Sequence, residues 1–321
     1  MIKLRKVGII GTGHVGSHVA FALAAQGEVD ELFLADCNKE KAYSQAMDIN
    51  DAVSYLPHHV QAYAVDVENM HNCDIIIIAA GPLPEPYQSR LETLPQTITV
   101  LEDIIPKLKK INFQGIIISI SNPADVVAAY IQQKLQYPQR RILSTGTALD
   151  SARLQRLLAE NLHVSRRSFS AYMLGEHGDS CIVPWSHILI GGKPLDELQE
   201  KSLLRYPSFD RDKIAANVHL GGSVVQNGKG STEFGIATAT VEIIRAIFHN
   251  ENKILPCSVL LDGEYDEHDV FASVPVIVGK NGIEDIIEFN LSKQEYAGFH
   301  QSCTIIRDYI RQSGIVIPLR G

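Results

Sequence analysis

The sequence has only five cysteines among 321 residues, and no two of them form a CxxC pair. Their odd number and wide spacing argue against a disulfide framework and against a zinc knuckle. The sequence also lacks an apolar stretch of about 20 residues that could cross a membrane, and its N-terminal apolar run is too short for a signal peptide. We therefore predict a protein of a reducing compartment, the cytoplasm, with no membrane association and no bound metal.

Positive charge is also in short supply. The 29 lysines and arginines are outnumbered by 37 aspartates and glutamates, which gives a formal net charge of −8. Proteins that bind nucleic acids usually carry a clustered basic surface, so we exclude a nucleic acid as the main partner. The composition is otherwise that of a globular protein, with 45% hydrophobic residues and a length sufficient for two domains. A small-molecule ligand is expected.

The first half of the chain alternates short apolar runs with longer amphipathic stretches. These runs cover residues 6–10, 31–35, 74–80, 116–120 and 141–144. This alternation predicts βαβ units with a parallel sheet, and the nearly continuous isoleucines of residues 75–78 indicate strands covered by helices on both faces. The second half predicts a mixed α/β domain, with a helix over residues 151–161, strands near residues 256–261 and 270–278, and an amphipathic closing helix.

A glycine-rich turn, Gly11-Thr12-Gly13-His14-Val15-Gly16, follows the first predicted strand and precedes a predicted helix over residues 17–26. In this context Gly11 permits a tight turn, Gly13 lets the backbone approach a pyrophosphate, and Gly16 allows close packing of helix on strand. Such a turn alone could be purely structural. However, Asp36 lies twenty residues after Gly16 at the end of the next strand, where a carboxylate can bind a ribose diol and repel a 2′-phosphate. We predict NAD as the cofactor.

A second candidate site lies in the other half of the chain. The sequence Gly175-Glu176-His177-Gly178-Asp179 places a histidine between glycines, where the imidazole can face a cleft. Asp150 and Arg153 are three residues apart at the start of a predicted helix and therefore share one face. The structural alternatives are an ordinary surface or core histidine and a local salt bridge.

Taken together, these motifs resemble those of the L-lactate and malate dehydrogenase family over nearly the whole chain. The matching elements occur in order: Gly11 to Gly16, Asp36, Arg90, Ser121-Asn122-Pro123, Asp150 to Arg153, Gly175 to Asp179, and Thr232. The resemblance implies a Rossmann NAD-binding domain with a doubly wound parallel sheet over residues 1–145, followed by a mixed α/β substrate domain over residues 146–321. It also implies a homodimer or homotetramer that acts on a small 2-oxo or 2-hydroxy acid.

The resemblance further implies a role for each site residue. His177 resembles the proton donor and acceptor, Asp150 the carboxylate that holds the imidazole, and Arg153 the guanidinium that binds the substrate carboxylate. Arg90 resembles the arginine that a mobile loop brings over the substrate carbonyl. Asn122 resembles the polar group that orients the reacting oxygen and borders the cofactor, and Thr232 belongs to the substrate site. The implied reaction is the reversible, NADH-dependent reduction of pyruvate or a larger 2-oxo acid.

The sequence departs from the family in the loop that precedes Arg90. Pro84 stands where lactate dehydrogenases usually have glutamine and malate dehydrogenases have arginine, so neither discriminating side chain is present. The segment from Gly221 to Thr232 is more similar to L-2-hydroxyisocaproate dehydrogenases, and we expect its paired glycines, Gly221 and Gly222, to leave space for larger substrates. Pro95 predicts either a late helix start or a kink.

Two further expectations concern regulation and competing functions. Gln155 and Ser170 stand at the positions of the cationic effector residues in relatives that respond to fructose 1,6-bisphosphate, so no activation by this effector is expected. A different class that also fits a dinucleotide fold is the NAD- and metal-dependent glycoside hydrolases, in which Cys181 and His177 would bind a metal. A non-catalytic NAD-binding protein is the third candidate.

Overall fold

The apolar runs of the first half form parallel strands of a single sheet. The computed structural model describes residues 3–82 and 90–314, with only the backbone described for Arg90 and Leu91. The six parallel strands are β1 (Lys6–Ile10), β2 (Glu31–Ala35), β3 (Gln61–Ala64), β4 (Ile75–Ile78), β5 (Ile116–Ser119) and β6 (Ile142–Ser144). They lie in the order β3-β2-β1-β4-β5-β6, which is the doubly wound order of Rossmann domains.

Helices connect these strands and cover both faces of the sheet. They are α1 (His14–Gln26), α2 (Lys39–Val53), α3 (Leu94–Lys110) and α4 (Ala124–Leu135). Helix α3 begins one residue before Pro95, so this proline lies in the first turn, where its missing N–H would have no intrahelical partner. The sequence suggested either a late helix start or a kink at Pro95, and the structure shows the helix start.

The second half adds helices and antiparallel strands. The helices are α5 (Ala148–Leu162), α6 (Leu195–Lys201), α7 (Arg211–Lys229), α8 (Phe234–Phe248) and α9 (Lys293–Gln312). A small sheet contains β7 (Phe169–Ser170), β8 (Leu189–Ile190) and β9 (Lys193–Pro194), and three longer strands are β10 (Lys253–Asp262), β11 (His268–Gly279) and β12 (Gly282–Ile286). Short 3-10 helices cover Val67–Met70, Arg90–Thr93, Gln139–Arg141, Arg166–Ser168, Trp185–His187 and Glu264–Asp266.

The two halves share one sheet. Strand β10 pairs antiparallel with β6 through Ser258 and Ser144, so the order of the large sheet is β12-β11-β10-β6-β5-β4-β1-β2-β3. The main apolar core runs along this sheet, and a second core packs α5 and α7 against the small sheet. The predicted α/β fold class is confirmed. Among the helices described, none is long and apolar enough to span a membrane.

Candidate active site

The glycine turn between β1 and α1 is shaped by close backbone contacts. Gly11 has a φ of +97°, and a Cβ on Gly16 would lie 1.9 Å from the carbonyl oxygen of Gly11. Neither position accepts a side chain without moving the backbone. Gly13 faces open space instead, because the nearest atom to a Cβ built there is 3.9 Å away. Within the described residues no side chain caps α1 and no acid lies in its first turn, so its N–H groups are available to an anion.

Asp36, at the end of β2, is bound to this turn. Its Oδ2 accepts hydrogen bonds from the Thr12 N–H at 2.7 Å and the Thr12 hydroxyl at 3.0 Å, and its Oδ1 accepts one from the Asn38 N–H at 3.0 Å. Burial favours the neutral acid, but these hydrogen bonds outweigh it and hold the pKa of Asp36 below its usual range. Asp36, Gly11 and Gly13 line a groove of about 1250 Å³, which we call the Asp36 groove.

The structure brings the three candidate residues of the second half together around one carboxylate. Nδ1 of His177 lies 2.6 Å from Oδ2 of Asp150, and Nη1 of Arg153 donates to Oδ1 of Asp150 at 2.8 Å. All three side chains are nearly buried, with 12%, 6% and 10% exposure for His177, Asp150 and Arg153. The local salt bridge between Asp150 and Arg153 that the spacing suggested is therefore present. The carboxylate of Asp150 also holds the imidazole of His177.

His177 and Arg153 line a cavity of about 450 Å³, which we call the His177 cavity. Asn122 and Thr232 line it as well, so these four predicted site residues converge there from α5, the segment after β7, the loop after β5 and the turn after α7. Gly13 lines both the His177 cavity and the Asp36 groove, which makes the two spaces neighbours. The side chain of Arg90, and all of Pro84, lie outside the described residues.

The sequence did not point to Asp125, which supports the main chain of His177. Its Oδ2 accepts the His177 N–H at 2.8 Å, while its Oδ1 has no hydrogen-bond partner within the described part of the chain. The hydroxyl of Ser258 is near this carboxyl group but does not meet hydrogen-bond geometry. Burial raises the pKa of Asp125 to about 7. Its position three residues after Asn122, in the first turn of α4, was the available signal.

A second unpredicted contact joins the glycine turn to the substrate half. Nδ1 of His14 lies 2.8 Å from Oε1 of Glu233, and Lys229 forms an ion pair with Oε2 of Glu233 at 2.5 Å. Glu233 is the residue after Thr232 and is mostly buried. The contact therefore ties the start of α1 to the turn between α7 and α8. His14 and Glu233 are 219 residues apart, so local spacing carried no signal.

The paired glycines of α7 differ from what the sequence suggested. A Cβ on Gly221 would lie 2.9 Å from Cδ and 3.1 Å from Nε of Arg153. The expectation that Gly221 leaves space for substrate is wrong, because the arginine fills that space. Gly222, in contrast, lines the His177 cavity.

The strand order and the glycine turn with its acidic partner define an α/β protein of the dinucleotide-binding Rossmann class. Comparison with known proteins identifies the group within that class. The family profile for the lactate/malate dehydrogenase NAD binding domain matches residues 5–144, and the profile for the lactate/malate dehydrogenase alpha/beta C-terminal domain matches residues 147–314. The chain belongs to the lactate/malate dehydrogenase family.

Individual relatives agree with this assignment. L-lactate dehydrogenase 3 of Bacillus thuringiensis subsp. konkukian is 39% identical over 310 residues, which are 97% of this chain and 98% of the relative. The crystal structure of MGS-M5, a lactate dehydrogenase from a Medee basin deep-sea metagenome library, gives a TM-score of 0.92 at 32% identity, covering 98% of this chain and 100% of its own. The crystal structure of Cryptosporidium parvum malate dehydrogenase gives a TM-score of 0.90 at 27% identity, covering 97% of this chain and 99% of its own.

These findings confirm the predicted cofactor, NAD, and the predicted class, an NAD-dependent 2-hydroxyacid dehydrogenase with an L-lactate dehydrogenase-like function. The glycoside hydrolase and the non-catalytic NAD-binding protein are set aside, because both family profiles match and together cover nearly the whole chain. In the structure Cys181 is buried, and its thiol donates to the carbonyl oxygen of Gly178 at 3.2 Å.

Proposed function

We propose that this protein reduces pyruvate, or a larger 2-oxo monocarboxylic acid, to the L-2-hydroxy acid with NADH, and that it disfavours oxaloacetate. The observation that carries the proposal is the Asp150 carboxylate, which joins a histidine and an arginine at the wall of the His177 cavity. An acid and a carboxylate-binding cation at one cavity are what the reduction of a 2-oxo acid requires.

The residues of the first half fit NAD. The open space at Gly13 and the uncapped start of α1 suit a pyrophosphate, and the Asp36 carboxylate suits a ribose diol while repelling a 2′-phosphate. When bound, the reduced nicotinamide supplies the hydride. Asn122 and Thr232 line the cavity beside Gly13, where they can border both the cofactor and the substrate.

The second half supplies the substrate chemistry. Arg153 binds the carboxylate of the 2-oxo acid through its planar guanidinium, part of which is already fixed by Asp150. His177 gives a proton to the carbonyl oxygen as charge develops there. Because Nδ1 of His177 donates a hydrogen bond to Asp150, the imidazole presents Nε2 for this transfer, and the carboxylate stabilises the charged ring. We assign Arg90 to stabilising the developing oxyanion, on the resemblance alone.

The preference against oxaloacetate is argued from charge. A dicarboxylate needs a second cation, and Pro84, at the position where malate dehydrogenases have arginine, provides none. A buried, unpaired carboxylate costs on the order of several kcal/mol, whereas an aliphatic group needs only an apolar wall. Leu149, Gly222 and Ile236 offer apolar surface in the His177 cavity. The malate dehydrogenase among the structural relatives shows that the fold itself does not decide this preference.

A panel of 2-oxo acids with saturating NADH tests this proposal. We expect measurable kcat/KM for pyruvate, 2-oxobutyrate and 2-oxoisocaproate, and a value at least about tenfold lower for oxaloacetate, because its second carboxylate lacks a partner. A preference for oxaloacetate over pyruvate would contradict the assignment of Pro84. Repeating the pyruvate assay with fructose 1,6-bisphosphate tests whether the effector changes KM.

The remaining features of the proposal rest on the sequence and the family. We propose a homodimer or homotetramer, with an NAD-binding domain over residues 1–145 and a substrate domain over residues 146–321. We also propose that fructose 1,6-bisphosphate does not activate the enzyme, since Gln155 and Ser170 carry no charge. All five cysteines lie in the described residues and are free thiols, which supports a reducing compartment such as the cytoplasm.

A further inference from the structure

The turn between α7 and α8 forms part of the wall of the His177 cavity. It comprises residues 230–233, and three of these, including Thr232, line the cavity. Among the described residues, backbone-to-backbone hydrogen bonds join this turn only to α7 and α8, the helices that flank it. The position of Thr232 relative to the cofactor-binding half therefore depends on contacts made by side chains.

The carboxylate of Glu233 makes such a contact. Glu233 is the N-cap residue of α8, but within the described part of the chain its side chain accepts no capping hydrogen bond. Instead, its Oε1 accepts a hydrogen bond from Nδ1 of His14 at 2.8 Å, and Nε2 of His18 lies 3.9 Å from its Oε2. The Glu233 side chain is only 9% exposed, so the carboxylate is shielded from the water that would compete for these contacts. It joins the turn to α1, in the other half of the molecule.

Glu233 has a second partner, Lys229, which makes a local contact. Nζ of Lys229 lies 2.5 Å from Oε2 of Glu233, but Lys229 is the last residue of α7 and precedes Glu233 by only four residues. The hydrogen bond from Lys229 holds the pKa of Glu233 below its usual range, so the carboxylate is charged at neutral pH. This ion pair does not connect the turn to α1.

His14 is next to both ligand-binding regions. It is the first residue of α1, at the helix start whose N–H groups are available to an anion, and it lines the His177 cavity. Its side chain contacts Glu233, the residue that follows Thr232. One hydrogen bond thus connects the glycine turn of the cofactor half to the segment that carries Thr232.

These observations lead to one assignment, which rests on the proposed function. We infer that Glu233 is a positioning residue of the substrate site, which holds the turn that carries Thr232 against the start of α1. Among the described residues, Glu233 is not part of the cavity wall, so it acts through Thr232. His177 and Arg153 are held separately by Asp150. The loss of Glu233 is therefore expected to weaken binding of the 2-oxo acid and to leave proton transfer intact.

Steady-state kinetics with pyruvate at saturating NADH test the assignment in two variants of Glu233. Glu233→Ala loses the contact with α1, and we expect KM for pyruvate to rise about tenfold, the low end of what one charge-assisted hydrogen bond contributes. We expect kcat to stay within about twofold of wild type. Glutamine keeps an acceptor for His14 but loses the charge, so KM in Glu233→Gln should rise by only about threefold.

Lys229→Met is the matched control, because it removes the other partner of the same carboxylate. We expect its KM for pyruvate to stay within about twofold of wild type. The double variant His14→Ala with Glu233→Ala tests the contact itself. If this hydrogen bond carries the effect, KM in the double variant should not exceed the larger of the two single-variant values.

An unchanged KM for pyruvate in Glu233→Ala would overturn the inference. An equal rise in Lys229→Met would also overturn it, and so would effects of His14→Ala and Glu233→Ala that simply multiply in the double variant.

Amide hydrogen exchange of residues 230–234 provides a readout that does not depend on the reaction. We expect faster exchange in Glu233→Ala than in wild type or Lys229→Met, and equal rates in all three proteins would contradict the assignment. If the wild type reduces pyruvate and Glu233→Ala matches its KM, only the assignment of Glu233 fails. If the wild type reduces no 2-oxo acid, the proposed function fails, and the exchange rates still test whether Glu233 holds the turn.

Discussion

At the scale of single residues, Asp150 organises the site. A buried carboxylate is stable only when it is paired and hydrogen-bonded, and both oxygens of Asp150 are engaged by cationic or proton-carrying side chains. The same two contacts fix the imidazole of His177 and the guanidinium of Arg153 relative to each other. A single residue thus links the proposed proton donor to the proposed substrate-binding group.

Asp125 gives a prediction about pH. Its folded-state pKa of about 7 exceeds the ordinary value of 3.8, so the folded protein binds more protons than the unfolded chain between these values. The free energy of unfolding of the wild type therefore loses a contribution as pH rises through this window. Asparagine keeps an acceptor for the His177 N–H and has no such proton to lose. We compare the free energy of unfolding of Asp125→Asn with that of wild type at pH 5 and at pH 8. We expect the difference, variant minus wild type, to increase by roughly 2 to 3 kcal/mol from the lower to the higher pH.

Chemical denaturation of wild type and variant at the two pH values measures this difference. Asp48→Asn is a suitable control, because Asp48 is an exposed carboxylate on α2. Its stability difference from wild type should be the same at both pH values. If the stability difference between Asp125→Asn and wild type did not change with pH, the carboxyl group of Asp125 would be ionised in the folded protein at both pH values. That result would contradict the raised pKa of Asp125.

The sequence predicted site residues that lie within recognisable short motifs. It missed site residues that are far apart in the chain and meet only in the folded protein. Asp150 and Arg153 are three residues apart, and the histidine stood between glycines. In contrast, Asp125 and His177 are 52 residues apart, and nothing in either segment indicates that they meet. Only the arrangement of α4 against the second half brings them together.

At the scale of elements, the sequence predicted a strand reliably where both of its faces are buried, because such a strand has an uninterrupted run of apolar residues. The four isoleucines of β4 are fully buried, and the strand was evident from them alone. Strand β3 was missed because it lies at the sheet edge and only Ala62 of its four residues is buried. Helix α1 begins at His14 rather than at Ser17, because Gly16 packs against the turn despite its low helix propensity.

Helix α7 gives a second prediction. Gly221→Ala places a methyl group 2.9 Å from Cδ of Arg153, whose guanidinium is held by Asp150, so the arginine must shift. We expect KM for pyruvate to rise by about tenfold, as for a misplaced charge-assisted contact, while the Kd for NADH stays unchanged. Steady-state kinetics with pyruvate and NADH fluorescence titration measure the two effects.

Gly228→Ala is the matched control for this prediction. Gly228 lies in the same helix, and among the described residues no atom comes within 4 Å of a Cβ built there. Both substitutions remove a helical glycine, so their effects on helix propensity are comparable. Equal KM values for Gly221→Ala and Gly228→Ala would show that the contact with Arg153 does not position the arginine.

At the scale of the whole molecule, the continuous sheet places two halves around one site. The segment that contains His177 is attached to β11 by a pair of hydrogen bonds between Gly175 and Ser273, each 2.9 Å long. Strand β11 belongs to the same sheet as the strands that carry the glycine turn and Asp36. The sequence indicated two successive units, but the single β6–β10 pairing that joins their strands had no local signal.

The central claim is that one half binds the cofactor while the other half performs the proton transfer. The most direct test is His177→Gln, assayed for NADH affinity and for pyruvate turnover in the same preparation. We predict that the Kd for NADH stays within about twofold of wild type, whereas turnover falls by about a hundredfold or more, the scale of a lost general acid. Turnover close to that of wild type would contradict the assignment of His177 and, with it, this account of the active site.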